Sequence, residues 1–295
     1  MKYAMMKFMS RNIETSIKDW KIGVTSSGIN HLSIEKYLEY KKAGIDAIEL
    51  SYNFEKDESF DIYKQKKLAK EAEIILWSFH LPWHHQLCNI AHLDKDMRNI
   101  AIDMDIQMIK KSADCGIKYG VIHPSGEPIL QEDRNEAMKN AKESLYKLSK
   151  TADEEGFTIA VENLPRTCLG NCSLDMNQLL EVSDSLKICF DVNHLLQESH
   201  AEFINKIKGK IVTLHISDYD FVNERHWMPG EGKINWPELI ELLEGIGYEG
   251  IFMYELGLKP EKTIIRRDLN YTDFKNNFTA LSEKRKPDAI GIPNV

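Results

Sequence analysis

Residues 157–165 read FTIAVENLP. An apolar run carries a single carboxylate, Glu162, close to its end and then stops at Leu-Pro. A parallel strand buried on both faces reads this way, nearly continuous in apolar residues rather than alternating. The glutamate is the anomaly. An ionised carboxylate among apolar side chains is costly unless it is paired or bound to a cation.

Outward from this stretch the same grammar recurs. KIGVTSS (21–27), DAIELSY (46–52), IILWSFHLP (74–82) and YGVIHPS (119–125) precede it; LKICFDVNHL (186–195), IVTLHISDYD (211–220) and GIFMYEL (250–256) follow. Amphipathic stretches lie between them. In 131–155, Ala137, Ala141, Leu145, Leu148 and Ala152 recur at spacings of three and four and form one apolar stripe. Gly156 follows as a helix stop. Helices are also expected over 33–43 before Gly44, from Lys95 to Cys115 before Gly116, and from Trp236-Pro237 to Gly245 or Gly247. Eight such units predict an α/β fold, either a closed (β/α)8 barrel or an open doubly wound sheet. No Gly-x-Gly-x-x-Gly follows the first run and no phosphate loop occurs, so closure into a single TIM barrel is favoured. The expected division is an N-terminal extension (1–20), the barrel (21–283) and a peripheral tail (284–295).

With 42% apolar residues, the 295-residue chain can bury a sizeable core. A net charge of −8 argues against a general nucleic-acid coat, which needs a basic face. Cys88, Cys115, Cys168, Cys172 and Cys189 are odd in number and scattered, which is no disulfide framework. Cys168 and Cys172 have no second pair to complete a metal clip, so free thiols are expected. The start has no leader-like apolar run, and nothing approaches the ~20 apolar residues of a membrane span. A reducing cytoplasm is the expected setting.

The polar residues of the predicted strands share one end. They are Glu49, His80, His123, Glu162, Asp191, His194, His215 and Glu255. Barrel closure gathers strand ends into a ring, and the carboxyl ends form the active face. Four carboxylates there would repel one another without a cation. The expectation is therefore one divalent metal ion held by Glu162, Asp191, His215 and Glu255. The mixed oxygen and nitrogen set suits Mn, Mg, Co or Zn alike. Taken singly, Glu49 is equally well read as a salt-bridge partner, and His80, His123 and His194 as hydrogen-bonded core histidines. The loop DYDFVNERHWMPGEGKINW (218–236) carries Arg225 and His226 and enough turn chemistry to serve as a lid. Trp83, His84 and His85 are candidates for an aromatic wall.

HLP (80–82), IHPSG (122–126), VEN (161–163), DVNH (191–194), LHISD (214–218), ERHWMPGEG (224–232) and YEL (254–256), in this order, resemble the xylose isomerase-like barrels. That superfamily comprises sugar isomerases and epimerases together with apurinic endonucleases. The resemblance covers about Lys21 to Glu261. It implies the same four metal ligands, a proton-transfer pair in Glu162 and Glu255, and contacts from His194 and Arg225 to substrate oxygens. Glu49, His80, His123 and His226 complete the expected substrate wall. In the endonuclease branch, extra metal ligands would fall on His80, His123, His194 and His226, with an aspartate where this chain has Glu224.

The leading expectation is a metal-dependent sugar isomerase or epimerase. It would move a proton beside a carbonyl of a sugar, sugar phosphate or inositol-like ketone, and a dehydration would share that first step. The alternative is a zinc-dependent apurinic-site endonuclease. A non-catalytic sugar-binding barrel has little reason to keep two glutamates and a histidine around a cation. The expected partner is a small carbohydrate; neither a membrane nor nucleic acid is expected. Barrels of this kind often associate, so a homo-oligomer is within expectation.

Overall fold

The computed structural model describes residues 15–26, 29–53, 60–84 and 87–295. The strands are β1 (Lys21–Thr25), β2 (Ala47–Ser51), β3 (Ile75–His80), β4 (Tyr119–Ile122), β5 (Thr158–Glu162), β6 (Lys187–Asp191), β7 (Ile211–His215) and β8 (Ile251–Tyr254). Between and after them run α1 (Ile34–Ala43), α2 (Ile62–Glu71), α3 (Lys95–Asp114), α4 (Arg134–Glu154), α5 (Ser173–Leu180), α6 (His200–Lys206), α7 (Trp236–Gly245) and α8 (Tyr271–Ser282). Each strand sits inside its expected apolar run but ends earlier. Pro82, Pro124 and Pro165 give one reason: a residue without an N–H cannot extend the ladder. Ser27, expected in the first strand, lies outside the described residues.

The strands are parallel and lie in the order β7-β6-β5-β4-β3-β2-β1-β8. The seam between β7 and β8 is joined just beyond them: Ile216 N–H donates to Met253 O at 2.8 Å, and Glu255 N–H to Ile216 O at 3.0 Å. The sheet therefore closes into a (β/α)8 barrel, as the eight units predict.

Alternation along each strand decides what faces the axis. Ala47, Ile251 and Met253 form one small buried cluster with Trp77 against it, and Val121, Ala160 and Cys189 form another. Trp77 Nε1 reaches Thr213 Oγ1 at 3.2 Å across the interior. A Cβ on Gly23 would sit 2.5 Å from Ile251 and 2.7 Å from Met253, so glycine there leaves room for both side chains. Ala47, Val121, Ala160, Cys189, Thr213 and Met253 each precede by two residues a position of the polar ring: Glu49, His123, Glu162, Asp191, His215 and Glu255. The barrel floor is thus apolar and its upper layer ionisable.

The helices form the outer layer. The expected α4 stripe is buried in full, from Ala137 to Ala152. Among the described residues, no disulfide joins any of the five cysteines. Near the C-terminus, β9 (Ile264–Ile265) and β10 (Ile292–Pro293) pair antiparallel. Among the described residues, no helix is long and apolar enough to cross a membrane.

Candidate active site

His215, at the end of β7, is the hub of the site. Its Nδ1 lies 3.1 Å from Glu162 Oε1, 3.1 Å from Glu255 Oε2 and 3.9 Å from Asp191 Oδ2. Its Nε2 lies 2.9 Å from Glu49 Oε1, and Ser78 Oγ donates to the other Glu49 oxygen at 2.6 Å. Asn163 positions the neighbouring strand end. Its amide N–H donates to Asp191 O at 2.8 Å, and its carbonyl accepts from Asp191 N at 2.9 Å. The VEN and DVNH motifs are therefore joined by one side chain. Asp191 Oδ1 accepts from Asn193 N at 2.7 Å, which leaves Oδ2 buried without a hydrogen bond.

These facts answer whether a divalent cation fits. One ligand atom from each of Glu162, Asp191, His215 and Glu255 lies within 4.8 Å of the others. Three carboxylates and one imidazole face the same small volume, and one carboxylate oxygen is orphaned into it. Hard oxygen donors plus one nitrogen are suitable ligands for a divalent ion. The Glu49 contact has the form of the carboxylate–histidine support common behind metal-bound imidazoles.

The electrostatics are those of crowded buried acids. Burial pushes Asp191 up to about 8, with help from Glu255 and Glu162. Burial also opposes ionisation of Glu162 and Glu255, but the surrounding imidazoles together outweigh it, His215 with His123 at Glu162 and His215 with His226 at Glu255. Glu255 is held at about 2 and Glu162 well below its ordinary range. Burial disfavours the imidazolium of His215, yet the surrounding groups raise its pKa well above the ordinary value.

Above this layer opens a cavity of about 420 Å³, within the range of small-ligand sites. His80 and His123 approach Glu162 Oε2 at 3.3 and 3.1 Å. With Glu162, they form a second group able to hold a metal. On the other side, His194 Nε2 and His226 Nε2 lie 3.6 and 3.1 Å from Glu224 Oε1. Burial alone would lower both rings. Asp191, among others, outweighs it at His194, and Glu224 at His226, so they reach about 10 and about 9. Trp83 is 57% exposed at the mouth, its ring 5.3 Å from that of His123. His84 also lines the cavity. His85 lies outside the described residues.

Two expected contact residues are placed elsewhere. Glu49 is buried beneath the cavity, behind His215, and does not line it. Arg225 turns outward: it pairs with Asp220 at 3.1 Å, lies over the Trp227 ring, and lines a separate outer cavity. The expected lid is also only partly one. Glu224 and His226 reach the bowl, but Pro229–Gly232 folds down around Asp218. That carboxylate accepts from Tyr219 N, Gly230 N, Ile234 N and Trp236 Nε1, all within 3.1 Å. Among the described residues, the arginine that does line the bowl is Arg166, in the turn after VENLP. Sequence reading passed over it, although a charged residue directly after a glutamate-bearing strand was the available signal.

The chain and its fold have known relatives. The chain matches the xylose isomerase-like TIM barrel family over residues 38–273. It is 28% identical over 195 residues to an uncharacterised protein of Methanocaldococcus jannaschii, covering 63% of this chain and 64% of that protein. It is 25% identical over 250 residues to fructoselysine 3-epimerase of Shigella flexneri, covering 80% and 90% of the two chains. Among solved structures, a D-tagatose 3-epimerase-like protein superposes with a TM-score of 0.74 at 23% identity, over 90% of this chain and 99% of that one. That last likeness speaks for the fold. The family match runs from within α1 to the start of α8 and so takes in seven of the eight barrel strands, β2 to β8; on that basis the chain belongs to the xylose isomerase-like TIM barrels.

Proposed function

We propose that this protein is a divalent-metal-dependent sugar epimerase, moving a proton on the carbon beside a carbonyl. One observation carries the reading. Glu162, at the end of β5, and Glu255, directly after β8, approach His215 Nδ1 at the same 3.1 Å. A substrate resting above that point would have one carboxylate on each side. The similarity to an epimerase named for a sugar derivative supports the class of reaction.

Glu162, Asp191, His215 and Glu255 would hold the cation. When bound, it supplies positive charge against the negative charge that develops on the substrate's oxygens as the C–H bond breaks. The residues do the rest. One glutamate accepts the proton and the other delivers one from the opposite face, so both must stay near the reacting carbon. Glu255 is 24% exposed and faces the cavity, whereas Glu162 is 1% exposed and held by imidazoles. Trp83 and His123 offer a flat wall to the apolar side of a sugar. Arg166 is the one lysine or arginine lining the cavity among the described residues, and Glu127 and Glu224 already neutralise it. A free sugar suits this lining better than a sugar phosphate, which would need an unpaired cation.

The test is incubation of ketoses, aldoses and inososes in D2O with Mn²⁺, followed by NMR. Deuterium entering beside a carbonyl supports the proposal; no exchange on any of them refutes it. A second reading, metal-dependent cleavage of abasic DNA, draws on the additional His80–His123–Glu162 group. Metal analysis separates the two: about one ion per chain favours the epimerase and about three the nuclease.

A further inference from the structure

Arg166 occupies an unusual place. Its backbone lies in the left-handed region, at φ 50°, where a long side chain is uncommon. The turn is held in that shape: Asn171 Nδ2 donates to Arg166 O at 2.7 Å, and Cys168 N–H donates to Pro165 O at 3.1 Å. Arg134 secures the same turn by donating to Thr167 O and Cys168 O. The result directs the guanidinium across the mouth of the bowl.

There it joins three loops. Nε and Nη2 donate to the two Glu127 oxygens, at 2.8 and 2.6 Å, in the loop after β4. Nη1 donates to Glu224 Oε2 at 2.9 Å and to Asn223 Oδ1 at 3.0 Å, in the loop after β7. Arg166 itself follows β5. Glu224 is thereby held by its outer oxygen, while its inner oxygen, Oε1, faces His226 and His194. The far sides of these two rings are held by backbone: His226 Nδ1 lies 2.9 Å from Glu255 O and His194 Nδ1 2.9 Å from Asn163 O. The His226 ring is therefore clamped between a main-chain carbonyl and a carboxylate whose direction Arg166 sets, and the His194 ring faces the same carboxylate oxygen at 3.6 Å without a hydrogen bond.

We infer that Arg166 is a positioning residue. Through Glu224 it fixes the His226 ring and sets the carboxylate charge that the His194 ring faces, both rings lining the bowl, and it does not itself receive a substrate anion. Exposed ion pairs add little to stability, so a fork held in a strained turn at a cavity wall points to placement. A guanidinium is needed because its planar donors can serve two carboxylates at once, whereas one ammonium holds a looser geometry. The consequence for turnover rests on the epimerase reading; the consequence for the rings does not.

The test uses the full chain and the variants Arg166→Met, Arg166→Lys, Glu224→Gln and the Arg166→Met/Glu224→Gln pair. Two readouts are needed: kcat and KM on a sugar that exchanges deuterium, and the ¹⁵N imidazole resonances. Arg166→Met should lower kcat about 10–100-fold, the effect of a small misplacement, with KM nearly unchanged. Arg166→Lys should recover part of the loss. The double variant should be no slower than Glu224→Gln alone, since both act on one element. The His194 and His226 resonances should move while those of His92, in the loop before α3 and outside the bowl lining, stay in place. If no sugar exchanges with wild type but these resonances move, the epimerase reading falls and the positioning role stands. A loss confined to KM, losses that multiply in the double variant, or unmoved ring resonances would each overturn the inference.

Discussion

Glu49 accepts a hydrogen bond from His215 Nε2 at 2.9 Å, on the edge of the ring opposite the three carboxylates that face Nδ1. The contact directs the Nδ1 lone pair of the neutral ring toward those carboxylates, where a cation would take it. Ser78 holds Glu49 in turn. A carboxylate that sequence reading assigned to the substrate thus acts one step further back. Replacing it by glutamine should weaken Mn²⁺ binding about 10–100-fold and leave the fold intact. Competition with a fluorescent chelator gives the affinity, and an unchanged value would remove Glu49 from this role.

The two glutamates should be separable from stability. With Mn²⁺ saturating, Glu162→Gln and Glu255→Gln should each lower turnover by about 10²–10⁴, the range for loss of a positioned acid or base. Circular dichroism should show the barrel intact. If either variant keeps near wild-type exchange of the substrate C–H, that residue is not part of the proton-transfer pair.

Metal binding should release protons. Without a cation, burial raises Asp191 to about 8, and the groups around His215 hold its ring protonated well above its ordinary range. Coordination requires the Asp191 carboxylate and the His215 lone pair, so binding at neutral pH must expel protons. Affinity should therefore rise with pH, and the Asp191 part of that rise should flatten above about 8. Titration calorimetry at one pH in buffers of different ionisation enthalpy measures the release; identical heats in both buffers would contradict it.

Asp105, on α3, offers a test outside the bowl. It is 1% exposed, its Oδ1 has no hydrogen bond, and burial raises its carboxyl well above the usual range. The folded state therefore holds its proton where the unfolded chain, near ~4, has lost it. That preference stabilises the fold fully below the unfolded value and is lost as pH rises toward the folded one. Asparagine cannot ionise. Asp105→Asn should thus be more stable than wild type at neutral pH, by about 1–3 kcal/mol, with the advantage gone near pH ~3.5. Denaturant melts at the two pH values would show whether the gap closes.

Much of this was legible in the linear chain. The eight strands, the α4 stripe and the candidate ligands Glu162, Asp191, His215 and Glu255 all follow from local pattern. Buried parallel strands must be apolar, so a charged residue near a strand's end stands out. The two-residue period then sends it to the same face as Ala160, Cys189, Thr213 or Met253.

What sequence alone could not decide was the direction of side chains set by distant contacts. Arg225 and Arg166 are both loop arginines, and sequence reading expected only Arg225 at the substrate. Arg225 is turned out by Asp220 and Trp227, while Arg166 is drawn in by Glu127 and Glu224. The Pro229–Gly232 turn reads as a lid, yet the Asp218 carboxylate gathers it down, and a Cβ on Gly232 would lie 2.2 Å from Asp218 Oδ1. Strand periodicity is a property of neighbours in the chain, so it survives into the sequence. The orientation of a loop side chain is a balance of hydrogen bonds and charges between segments tens of residues apart, and it exists only once the barrel has closed.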